Sequence, residues 1–138
     1  MNRKKPEARG LLRKAEGDLQ AVHCLAKDSA ISVLTIGFHA QQAVKEALKS
    51  VLLHRNITYP FTHDIRALTA LLEAAQAPTP PSARELAYLT PFGTLFRYED
   101  GDWDLPASMD LDRMVLWAES TVAWAREVLS GADDRNTL

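Results

Sequence analysis

The sequence predicts an all-α protein, an up-and-down bundle of four to five helices. Three observations carry this. Apolar residues recur at helical spacing in five segments of the 138-residue chain. No segment alternates convincingly in the manner of a strand. Proline-rich or polar loops separate the segments, as they do between antiparallel helices.

The first helix is expected from about 7 to 27, with Leu11, Leu12, Ala15, Leu19, Val22 and Ala26 on one face. "KDSA" closes it, and Ser29 or Ser32 can cap the next. The second spans about 31 to 54, with Val33, Ile36, Ala40, Val44, Ala47 and Val51 on its core stripe. "RNITYP" breaks it, since Pro60 holds Tyr59 extended. A third helix starts near "THD", where Thr62 or Asp64 can cap it, and runs through Ile65, Leu68, Leu71 and Leu72. A fourth, from about 82 to 96, is kinked or interrupted by Pro91 and Gly93. The last runs from about 109 to 129 through Leu111, Met114, Val115, Ala118, Val122, Ala125 and Leu129. One domain over 1–138, with its core at about 7–130 and frayed ends, fits this length.

A formal net charge of −2 gives no global basic field for nucleic acid. Locally, 3–14 carries Arg3, Lys4, Lys5, Arg9, Arg13 and Lys14 against Glu7, a run read as a solvated terminus before a phosphate-binding arm. One cysteine, Cys24, cannot form an internal disulfide; it is taken as packing, and a reducing, cytoplasmic setting is expected. No segment has the roughly 20 apolar residues of a membrane span, and no membrane partner is expected. The four histidines lack zinc spacing. "DGDWDL" opens like a calcium loop but has Leu105 where glycine belongs and Leu111 where glutamate belongs.

The second helix contains "FHAQQAVKEALK". At 100° per residue, His39, Ala43, Glu46 and Ser50 share one edge, and Gln41, Lys45, Leu48 and Leu52 the other. Gln42, Lys49 and Phe38 point to solvent. The small residues of the His39 edge invite close approach by a ligand or second subunit; the competing reading is a histidine hydrogen-bonded across the bundle. On the last helix, Trp117, Thr121, Trp124 and Val128 form a stripe beside the core stripe, too wide a face for one bundle, and are the expected homodimer interface.

"FHAQQAVKEALKSVL", "YPFTHDIRALTALL" and "LFRYEDG", in this order before a final helix, resemble the HEPN domain of prokaryotes over about 11–129. The helical domain appended to aminoglycoside nucleotidyltransferases is similar in fold. The resemblance implies a homodimer and a minimal nucleotidyltransferase partner, often as a toxin–antitoxin pair. Many HEPN proteins are metal-independent ribonucleases that use an arginine followed, after four to six residues, by a histidine. Arg97 matches that arginine, but no histidine follows it, and the acids at 99, 100, 102 and 104 would repel an RNA backbone. No catalytic residue is therefore assigned. Arg97 and Tyr98 match the pair of the branch that lacks the histidine, for which nucleotide binding has been proposed. The candidate nucleotide-binding residues are His39, Gln42, Lys45, Arg97 and Tyr98, with no metal. The alternatives are a diverged ribonuclease toxin using Arg97 and a purely structural dimerisation partner.

Overall fold

In the computed structural model, which describes residues 4–95 and 110–132, the elements are α1 (Lys4–Ala26), α2 (Val33–His54), α3 (Ile65–Ala74), a 3-10 segment (Glu85–Leu89), α4 (Phe92–Leu95) and α5 (Leu111–Glu127), which ends in a π-type turn over Val128–Ala132. Among the described residues there is no strand. The chain is all-helical, as its periodicity predicts.

Local chemistry sets the boundaries. Ser32 caps α2 by accepting from the Leu34 amide at 3.1 Å. Asp64 caps α3 by accepting from the Arg66 amide at 3.0 Å, and Asp110 caps α5 through the Arg113 amide at 2.8 Å. The fourth segment is interrupted, as Pro91 predicts, and falls into two pieces. Pro91 has no amide proton to continue the 3-10 segment, and a new turn begins at Phe92.

The helices are not equivalent. α2 is the central rod, with Ile36, Gly37, Ala40, Gln41, Ala43, Val44, Lys45, Ala47, Leu48, Ser50, Val51 and Leu52 all buried. α1 lies along it, α5 packs against both, and α3, the 3-10 segment and α4 close the remaining sides. Two cross-helix contacts show α5 antiparallel to α1: His23 with Glu119 at 3.0 Å and the ion pair of Arg126 with Glu16 at 2.8 Å. Small residues on α2 let its neighbours come close. A Cβ on Gly37 would stand 2.6 Å from Cε1 of Phe92, so that glycine is the seat of the α4 ring.

Three expectations need correction. Cys24 is exposed, because α1 turns that face outward, so it is not a packing residue. Gln42, Lys49 and Phe38 are half-buried rather than solvent-facing, because the central helix has neighbours on nearly every side. The wide stripe of α5 is covered by its own chain: Trp117 is 5 % exposed, Thr121 0 % and Val128 8 %, with Trp124 half-buried. Tyr88 of the 3-10 segment stacks on Trp117 with ring centroids 6.3 Å apart. The width of that face therefore needs no second subunit to explain it. Among the described residues, the large apolar side chains left open are Phe61, Tyr88 and Leu116.

Candidate functional site

α2 presents different chemistry to its two neighbours. Towards α1, His39 Nδ1 donates to Oδ1 of Asp18 at 2.9 Å. Glu46, two turns further along α2, also hydrogen-bonds to Asp18. Burial, then that hydrogen bond and the Asp18 charge, pushes the Glu46 carboxyl up to about 8. At neutral pH Glu46 is thus mostly a neutral acid that donates to the Asp18 carboxylate, which accepts from His39 as well. Ala43 and Ser50 are buried on the same edge, and the Ser50 hydroxyl donates to the Ala47 carbonyl at 2.6 Å. The partner that the small residues admit is α1. His39 is spent on a contact across the bundle.

Towards the α2–α3 connection the chemistry is unbalanced. Lys45 is 7 % exposed, with Nζ 3.0 Å from Nδ1 of His63. An ammonium only donates, so Nδ1 accepts and the ring proton of His63 sits on Nε2. Burial first, then the Lys49 charge, lowers the Lys45 pKa. Lys49 is likewise lowered, by burial. Its Nζ sits 5.6 Å from the ring centre of Tyr59 and 5.7 Å from that of Phe61, within cation–π range. Phe61 itself is 91 % exposed and meets His63 edge-on at 5.8 Å. Neither Lys45 nor Lys49 forms an ion pair with a carboxylate among the described residues. Glu46, the acid nearest in sequence to both, acts on each through space without an ion pair, and burial outweighs its effect on both lysines.

A third feature lies deeper. Gln41 is fully buried, its amide nitrogen and oxygen have no hydrogen-bond partner among the described residues, and it lies against Gly93, where an added Cβ would stand 3.3 Å from its amide carbon. Such a group costs about 1–3 kcal/mol.

Of the sequence-derived candidates, His39 and Lys45 lie on opposite flanks and do not share a site. Gln42 is half-buried between them. Arg97 and Tyr98 lie outside the described residues. Sequence reasoning missed Lys49, Tyr59, Phe61 and His63. The available signal was the "TYPFTH" loop, whose aromatic residues bracket a proline and so are held extended beside the end of α2. Among the described residues no group of three or more His, Cys, Asp or Glu side chains is placed to hold a metal ion, and no helix is long and apolar enough to cross a membrane.

An all-helical bundle wound around one central polar-flanked helix is the class that this fold and site define. The family model described as the HEPN domain matches residues 8–129, and the chain belongs to that family. No curated protein and no solved structure matches it.

Proposed function

We propose that this HEPN-family protein is a nucleotide-binding interaction module, the partner of a minimal nucleotidyltransferase in a toxin–antitoxin-like pair, and that its nucleotide sits on the flank of α2 that carries Lys45 and Lys49. The observation that carries the reading is the open ring of Phe61 beside two ammonium groups that form no ion pair with a carboxylate among the described residues. A base has a π-face to stack on Phe61, worth about 1–3 kcal/mol per base. Its phosphates would replace the missing counter-charge and relieve the mutual repulsion of Lys45 and Lys49. His39 has no part in this version of the site; its ring is committed to Asp18.

Thermal denaturation in the presence of ATP, GTP, CTP and UTP tests this. Ligand at about 100 times its dissociation constant stabilises the fold by about 2.7 kcal/mol, and the shift is expected to vanish in Lys49→Gln/Phe61→Ser and persist in His39→Ala. No shift at millimolar nucleotide would remove the nucleotide from the proposal and leave the interaction module. Self-association, which the family resemblance implies, would use the apolar side chains that stay open near α5, Leu116 and Tyr88.

A further inference from the structure

The basic run at the start of the chain is not a loose arm. Residues from Lys4 onward belong to α1, and this places Arg9 and Arg13 one turn apart on the same side of the helix. They meet Arg126 of α5 around a cavity of about 390 Å³, whose floor is Leu12 and Leu129 and whose far edge is Ser130. Both leucines are nearly closed off from solvent, at 9 % and 8 %. Three exposed arginines therefore border one open groove.

The local charge is unbalanced. Arg126 is held by Glu16, whose Oε2 accepts from its Nε at 2.9 Å and lies 2.8 Å from Nη2. Arg9 and Arg13 form no ion pair with any described residue. Ser130 uses its hydroxyl proton on the Glu127 carbonyl at 2.9 Å, so the donors available to a ligand are the guanidinium N–H groups. The planar fork of arginine matches the oxygens of phosphate two at a time. Cavities of about 300–1,000 Å³ are the usual size for small ligands, and a hollow near the bottom of that range suits a compact anion better than an extended acidic peptide.

We propose that the groove between α1 and α5, bounded by Arg9, Arg13 and Arg126, is a phosphate-binding site, distinct from the Lys45–Lys49 flank, which takes the phosphoryl groups of a nucleotide-sized ligand or of an RNA strand. Isothermal titration calorimetry on the full chain tests it with inorganic pyrophosphate, ADP and a single-stranded oligouridylate as probes. Pyrophosphate binding is expected to weaken by at least about tenfold in Arg9→Gln/Arg13→Gln. It should weaken less in Arg9→Lys/Arg13→Lys, which keeps the charge but loses the fork, and stay unchanged in Lys14→Gln/Lys27→Gln, which removes equal charge outside the groove. The Lys49→Gln/Phe61→Ser variant is expected to keep pyrophosphate binding, so failure of the nucleotide site on α2 and failure of this groove are read separately. Tighter binding of ADP assigns a free nucleotide. Tighter binding of oligouridylate, with a log–log salt slope that falls by about 1.4 in Arg9→Gln/Arg13→Gln, assigns a strand. Absence of heat with all three probes, equal losses in the arginine and lysine double variants, or heat with a polyglutamate peptide alone would overturn the proposal; the last would point to an acidic partner protein.

Discussion

The two flanks of α2 carry similar polar side chains and end in opposite states. On the α1 flank, Asp18 accepts from His39 and holds Glu46, whose carboxyl is kept largely neutral by burial and the Asp18 contact, with Oε1 alone lacking a partner among the described residues. On the α3 flank, Lys45 and Lys49 share a corner with Tyr59, Phe61 and His63, and no acid of the described residues pairs with either lysine. A polar residue on a core helix is therefore no sign of a site by itself. The sign is a charged residue that forms no ion pair among the described residues.

This contrast can be broken or sharpened by substitution. The largest effect is expected from Asp18→Ala, which leaves His39 and Glu46 without their shared acceptor: stability should fall by about 2–3 kcal/mol in chemical denaturation, with nucleotide affinity unchanged. A loss of nucleotide affinity at constant fold would mean that the α1 flank is also a site. Next comes pH. The folded-state pKa of Glu46 is raised from 4.5 to about 8, so the folded state binds more protons than the unfolded state between these values. The Glu46 contribution is fully present below about 4.5 and is lost as pH rises through about 8. Stability measured from pH 5 to 9 should decline, and Glu46→Gln should flatten that decline by roughly 1–2 kcal/mol, after allowance for partial solvent screening. On the other flank, Lys49→Gln/Phe61→Ser should move stability by no more than about 1 kcal/mol, since Phe61 is open and the half-buried Lys49 forms no ion pair among the described residues, while it abolishes the nucleotide-induced thermal shift. The smallest effect is expected from Leu116→Asp: almost no change in monomer stability, and a lower apparent mass in multi-angle light scattering if the open face of α5 joins two copies.

Much of the fold was legible in the sequence. The 3.6-residue period marks α1, α2 and α5, Ser32 and Asp64 are capping residues by type and place, and Pro91 announces the break before Phe92. What periodicity does not encode is how many neighbours a helix has. α2 shows one apolar stripe in sequence, yet Gln41 and Lys45 beside that stripe are also buried, because α1, α3, α4 and α5 surround it. For the same reason the stripe from Trp117 to Val128 looked too broad for one bundle: the ring that covers Trp117 comes from Tyr88, a contact between segments that no local pattern records. The candidate site was legible only at Lys45. His39 was chosen for its chemistry, and its partner Asp18 lies 21 residues away. Phe61 was passed over because a loop aromatic carries no periodic signal; only its exposure in the fold distinguishes it.

The most direct test of the contrast is a nucleotide titration of the isotopically labelled protein followed by amide and side-chain NMR shifts. Saturable shifts are expected at Lys45, Lys49, Phe61 and His63, with Asp18, His39 and Glu46 unmoved. Shifts centred on the Asp18–His39–Glu46 cluster, or none anywhere at millimolar nucleotide, would contradict it.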